Sequence, residues 1–232
     1  MKEFQREEHR IIARLLRSLD AGRLEACRCF FGGGTAIVLT HGEYRRSLDV
    51  DFLCSDREGY RTLRNLVATS EAARLFPRDV RLVRDVVADT YGVRALLEYQ
   101  GLLLKLEFIR EGRVEVAGTR HPDLGVPILS LSDMVTEKLL ANADRCYDRA
   151  VAYRDAIDLG HLVRQHGRFP LGAVEKAEAA YGDDIGRKMV GILGHLQQGP
   201  ELDHAITVLD MDRSVTLAAL AALRREVEKL WS

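Results

Sequence analysis

A glycine turn followed at short range by two carboxylates on one strand is the strongest constraint in this chain. Gly32-Gly33-Gly34-Thr35 precedes Asp49-Val50-Asp51-Phe52, with Asp49 fourteen residues after Thr35. Successive side chains on a strand point to opposite faces. Asp49 and Asp51 therefore share one face, and Val50 and Phe52 the other. The apolar face belongs in a core. The acidic face holds two like charges close together, which repel unless a cation lies between them. A hard divalent ion such as Mg²⁺ takes oxygen ligands and bridges one or two carboxylates to substrate phosphates. The turn and the carboxylate pair together are a way to hold a nucleoside triphosphate.

The 232 residues suffice for one large domain or two small ones. A hydrophobic fraction of 47% and a charged fraction of 30% fit a soluble globular protein. No apolar run of about 18 residues predicts a membrane-spanning helix. The opening Met1-Lys2-Glu3-Phe4-Gln5-Arg6-Glu7-Glu8 is too polar for a secretory signal, and the expected location is cytoplasmic. Cys27, Cys29, Cys54 and Cys146 have no zinc spacing and read as buried free thiols. The net charge of −1 gives no evidence of a strongly basic nucleic-acid binder and leaves a local basic patch open. Arginines outnumber lysines 28 to 6, so each lysine is worth inspection.

The hydrophobic pattern predicts an amphipathic helix over 3–19, ended by Asp20-Ala21-Gly22, and a short strand over 28–31. A helix is expected from Thr35 as N-cap to about 41. Arg45-Arg46-Ser47 reads as a polar turn before a strand over 48–54. A helix from Ser55 or Asp56 runs to about 69. Residues 79–117 read as β structure, punctuated by Gly92, Gly101 and Gly112. Pro122 and Pro127 mark a boundary, and the rest is helical, with helices over about 130–140, 148–166, 172–180, 183–197 and 213–231. The domains expected are an α/β half, 1–125, and an all-α half, 126–232.

Leu104-Lys105-Leu106-Glu107-Phe108-Ile109 places Leu104, Leu106 and Phe108 on a core face and Lys105 and Glu107 opposite. Glu107 is either a third carboxylate beside the Asp49–Asp51 pair or a solvent-facing partner of Lys105. Lys138 either reaches triphosphate oxygens as a point charge or is an ordinary helix lysine. Asp155 and Asp158 are three residues apart and share a helix face. Two acids there repel unless a cation lies near, and Lys138 from the preceding helix is the natural candidate. Arg61, Arg64 and Arg74 read as a solvated helix face, Trp231 as a packing residue, and His161 and His166 as having no metal role.

Gly33-Gly34-Thr35-Ala36, Arg46-Ser47-Leu48-Asp49-Val50-Asp51-Phe52, Glu137-Lys138-Leu139-Leu140 and Arg154-Asp155-Ala156-Ile157-Asp158-Leu159 together resemble the AbiEii/AbiGii nucleotidyltransferase toxins. These are the toxin halves of bacterial abortive-infection and type IV toxin–antitoxin pairs. The glycine turn with two aspartates is common to the polymerase-β-like nucleotidyltransferase superfamily; the lysine and the paired aspartates of the helical half narrow it. Thr35 replaces a more usual serine, and the third acid is Glu107.

The resemblance implies an α+β fold, a mixed nucleotidyltransferase sheet with helices followed by an all-α half. It implies transfer of a nucleotide from a nucleoside triphosphate, with Mg²⁺ or Mn²⁺ on Asp49, Asp51 and Glu107. It places Gly33, Gly34, Thr35, Arg46, Ser47 and Lys138 on the nucleotide, and makes Asp155 or Asp158 orient Lys138 or assist proton transfer. RNA, in particular tRNA, is the implied acceptor, and a cognate antitoxin protein the implied partner. Two other readings stay open: a small-molecule nucleotidyltransferase of the aminoglycoside-modifying type, and a nucleotide-binding module without turnover.

Overall fold

The structure, a computed structural model, describes residues 4–68, 76, 79–197 and 199–231. By packing the chain divides into two compact units, 1–39 with 48–130, and 40–47 with 131–232, taken over their described residues. Arg74 lies outside the described residues.

The first unit opens with helices α1 (Glu7–Ser18) and α2 (Ala21–Ala26). Ile11, Ile12, Leu15 and Leu16 recur at helical spacing, and all are buried. Asp20 does more than stop α1: its carboxylate accepts the Arg23 N–H at 3.0 Å and caps α2, a helix the sequence reading did not anticipate. Strand β1 (Cys29–Gly32) runs into helix α3 (Gly33–Thr40), then come β2 (Val50–Cys54) and α4 (Arg57–Ala68). The β region contains β3 (Arg81–Leu82), β4 (Val87–Ala88), β5 (Gly92–Tyr99), β6 (Leu102–Arg110), β7 (Gly118–Arg120) and β8 (Pro127–Leu129). They form one mixed sheet in the order β3-β5-β6-β2-β1-β8-β7, with β4 also paired to β5. β1 is antiparallel to β2, and β2 is parallel to β6.

Register organises the sheet into alternating rows. Phe31, Phe52 and Phe108 are neighbours across β1, β2 and β6, with ring centroids 5.5 and 5.3 Å apart. All three are buried. One residue along, Gly32 pairs with Asp51, Asp51 with Glu107, and Glu107 with Arg94 of β5. The aromatic row is core, and the charged row lies on the opposite face.

Two sequence expectations change here. Helix α3 begins at Gly33, so Thr35 is not its N-cap but lies inside the first turn, buried. Pro127 opens a strand rather than a helical half, since β8 pairs with both β1 and β7.

The second unit contains α5 (Leu131–Arg145), α6 (Arg154–His166), α7 (Ala173–Tyr181), α8 (Asp184–His195), α9 (Gly199–Leu209) and α10 (Arg213–Leu230). The helix expected over 148–166 is shorter. Arg149–Val151 form a 3-10 turn, Ala152 and Tyr153 take left-handed backbone, and α6 starts at Arg154. Helix α9, which the sequence pattern did not predict, begins at Gly199-Pro200; proline is tolerated in a first turn, where its missing N–H has no intrahelical partner. Trp231 packs on Gly186 and donates its indole N–H to Glu178 at 2.7 Å.

Helices α6 and α10 approach closely at Gly160, where an added Cβ would lie 2.9 Å from the Ala219 carbonyl oxygen. Backbone, unlike a flexible side-chain end, cannot step aside there. Gly160→Val is expected to cost about 1–3 kcal/mol of stability, read as a lowered melting temperature.

Candidate active site and the buried ion cluster

The carboxylates of the first unit sit at the junction of β1, α3 and β2. Gly33 has φ +66°, and a Cβ built on it would lie 2.6 Å from Asp51 Oδ2. Glycine is required there twice over, for its left-handed backbone and for the contact. The turn thus brings the start of α3, the positive end of its dipole, against the Asp51 carboxylate. Asp49 immediately precedes β2, and both aspartates are half-buried. Thr35 is 1% exposed, so the turn meets solvent through its glycines and not through the threonine.

Glu107 lies beside Asp51 in the β2–β6 register. Its Oε2 is 2.6 Å from Lys105 Nζ and its Oε1 is 3.4 Å from Arg94 Nε. Arg94 also donates to Asp89 at 2.9 Å. Among the described residues no three of His, Cys, Asp and Glu are grouped as metal ligands. A divalent cation fits the chemistry of the two aspartates, half-buried oxygen donors beside a glycine turn, and one or two carboxylates suffice when phosphates complete the shell. Glu107 stands beside them as a carboxylate paired with Lys105 and Arg94.

In the second unit the two helical aspartates and Lys138 come together, but in the interior. Lys138 Nζ lies 2.7 Å from Asp155 Oδ1 and 2.7 Å from Asp158 Oδ2, and its side chain is 6% exposed. Arg145 donates to Asp155 at 2.7 and 3.1 Å. Asp158 is fully buried and takes a two-pronged contact from Arg45, Nε to Oδ1 at 2.7 Å and Nη2 to Oδ2 at 2.8 Å. The Tyr44 hydroxyl donates to Asp158 at 2.7 Å, and its ring stacks on His161 at 3.5 Å between centroids. The sequence reading missed Tyr44 and Arg45, placing emphasis on the exposed Arg46. One signal was present: two buried acids exceed the single cation Lys138, so a second cation had to be nearby. His166, read from the sequence as having no metal role, meets His41, which that reading did not single out, with their Nε2 atoms 3.1 Å apart.

The charges set the protonation states. Burial pushes the Asp155 carboxyl up, but the Lys138 charge and the Arg145 hydrogen bonds outweigh it and bring its pKa down to about 2. Burial acts likewise on Asp158, and Arg45 and Lys138 hold it far below the usual carboxylate range. Burial raises the Tyr44 hydroxyl well above its usual value, with Asp158 adding to the effect, so it remains a donor. Burial lowers His161 to about 4, and its Nε2 is buried with no hydrogen-bond partner.

A mixed sheet carrying a glycine turn and an acidic strand, with a helical unit, defines the nucleotidyltransferase class of fold. Residues 14–230 match the family model described as nucleotidyl transferase AbiEii toxin, type IV toxin–antitoxin system. The chain belongs to that nucleotidyltransferase toxin family. Among solved structures, it resembles JHP933 from Helicobacter pylori at 20% identity and TM-score 0.54, covering 99% of this chain and 95% of that one. A putative nucleotidyltransferase from H. pylori matches at 20% identity and TM-score 0.47, covering 99% and 97%. MenT4, a nucleotidyltransferase toxin from Mycobacterium tuberculosis, matches at 20% identity and TM-score 0.36, covering 94% and 95%. Comparison with curated proteins finds no match. No helix among the described residues is long and apolar enough to cross a membrane.

Removing Lys138 leaves two carboxylates buried with less compensation. Lys138→Met is therefore expected to destabilise the protein by about 3–5 kcal/mol, measured by chemical denaturation, whereas the exposed Arg46→Met is expected to change it little. Acid unfolding has a defined window. The carboxylates are depressed in the folded state, so their contribution is complete above the ordinary value near 3.9 and is lost as pH falls towards about 2. His161 is also depressed, so a further contribution fades as pH falls from near 6.5 to about 4. Denaturation midpoints across pH 7 to 2 are expected to fall in both ranges, and His161→Phe to remove the upper one.

Proposed function

We propose that this nucleotidyltransferase toxin transfers a nucleotide from a nucleoside triphosphate to an RNA, with tRNA as the favoured acceptor, in a reaction dependent on Mg²⁺ or Mn²⁺. The observation that carries the reading is the close approach of Gly33 to Asp51, which sets the turn proposed to face phosphate against a carboxylate proposed to hold the metal. Asp49 and Asp51 would hold the cation. The glycine turn and the start of α3 would face the triphosphate, where backbone N–H groups and the helix dipole favour negative charge. Arg46 and Ser47, in the segment leading into Asp49, are further phosphate candidates by their place in the sequence. A divalent ion held there supplies a lowered pKa for the attacking hydroxyl and charge compensation for the departing pyrophosphate.

The hydroxyl oxygen of the acceptor forms a bond to the α-phosphorus as the bond from that phosphorus to pyrophosphate breaks, and the hydroxyl proton leaves to solvent. Glu107, through Lys105 and Arg94, would keep cationic groups ordered beside Asp51 rather than act as a third metal ligand. Lys138, Asp155 and Asp158 would act at one remove, as positioning residues: their charges are spent on one another and on Arg45 and Arg145. A tRNA whose 3′ end is extended cannot be charged, and translation stalls. A cognate antitoxin protein would relieve this.

Three outcomes follow. Asp49→Ala and Asp51→Ala are expected to abolish labelling of total RNA by radiolabelled nucleotides, with little change or a rise in melting temperature as like-charge repulsion is relieved. A triphosphate with Mg²⁺ is expected to stabilise the wild type by about 2.7 kcal/mol at a hundredfold excess over its Kd, and EDTA to remove the gain. Expression in a bacterium is expected to slow growth, and Asp51→Ala at matched expression to restore it; equal growth would refute toxicity through transfer.

A further inference from the structure

At the end of β6 past Glu107 lies a groove of about 530 Å³, lined by Tyr91, Arg94, Glu107, Ile109, Arg110 and Arg113, among others. It begins one strand away from Asp51, because Glu107 pairs with Asp51 in register. Its rim holds Tyr91, a large aromatic that is 76% exposed. The turn carrying Tyr91 is firmly built. Asp89 Oδ1 accepts the N–H groups of Tyr91 at 2.7 Å and Gly92 at 3.0 Å, and Asp89 Oδ2 accepts from Arg94 at 2.9 Å. The Tyr91 carbonyl accepts the Arg110 N–H at 2.9 Å, and the Tyr60 hydroxyl holds the Asp89 carbonyl at 2.7 Å. An ordered turn that leaves an aromatic ring in solvent presents that ring at little conformational cost.

The charges of the groove are sorted. Glu111 is buried and committed to Arg113 at 2.6 Å, and Glu107 and Asp89 to Arg94 and Lys105. Arg110 is exposed next to the tyrosine turn. No acidic pocket for a cationic small molecule exists in this groove. An exposed ring with a neighbouring guanidinium suits a base and its phosphate: stacking accepts any base, and arginine follows the backbone. Duplex bases offer no free face to such a ring.

We propose that this groove is the acceptor subsite, in which an unpaired nucleotide near the end of a single-stranded nucleic acid stacks on Tyr91 with its phosphate at Arg110. The assignment rests on the nucleotide-transfer reading and adds where the acceptor lies and that it is single-stranded there. A fluorescently labelled single-stranded RNA oligonucleotide and a duplex of the same length are titrated with the full chain. Tyr91→Ala is expected to weaken single-strand binding about tenfold or more, and Tyr91→Trp to retain it. Arg110→Ala is expected to reduce the slope of log affinity against log salt by about one. Thermal stabilisation by a triphosphate with Mg²⁺ is expected to be the same in all three variants. Unaltered single-strand binding by Tyr91→Ala overturns the proposal, as does a wild type that binds no RNA or prefers the duplex. Loss of triphosphate stabilisation in the wild type would instead refute the nucleotide site itself, so the two failures are separable.

Discussion

The register of β2 between β1 and β6 is the constraint on which the rest of the first unit depends. Side chains alternate strictly along a strand, so a one-residue slip would carry Phe52 to the open face and Asp51 into the core. The slip is opposed by two kinds of contact at once. Phe52 is packed between Phe31 and Phe108, and Asp51 lies against Gly33, where a Cβ would collide with its carboxylate. The apolar row therefore holds the polar row in place.

The helical unit solves a different problem with charge. Asp158 is fully buried and would be untenable alone. Arg45, Lys138 and Tyr44 supply it with donors, while Arg145 and Lys138 supply Asp155. Such a cluster adds little net stability against an apolar equivalent, yet breaking it is costly, because whatever remains is charged and out of water. What it specifies is position. Arg45 ties the 40–47 segment to α6, and that segment leads directly into Asp49. Through Asp158, the cluster of Lys138, Asp155 and Asp158 holds Arg45 and with it the 40–47 segment within the helical unit.

The fold class and the family were legible because their signals are local. A glycine turn, a strand with alternating acids and core residues, and helical spacing of apolar residues each act within a few positions. Thr35 misled as a helix cap because the glycines before it can themselves start a helix. Pro127 misled as a boundary because proline is also accepted at the first position of a strand. Both residues have two permitted uses, and neighbours distant in sequence choose between them.

The sequence by itself determined that Asp51 lies on a strand after a glycine turn with Asp49 close by (the strand starts at Val50, one residue after Asp49), that Glu107 stands opposite a core face, and that Asp155 and Asp158 need a cation. Only the tertiary structure decided who meets whom. It set Glu107 beside Asp51 but turned its oxygens to Lys105 and Arg94. It buried Lys138 between the two aspartates, brought Arg45 to Asp158 across more than a hundred residues, and left Tyr91 in solvent. The reason is physical: spacing fixes the face on which a side chain lies, whereas its partner and its exposure depend on packing against segments remote in the chain.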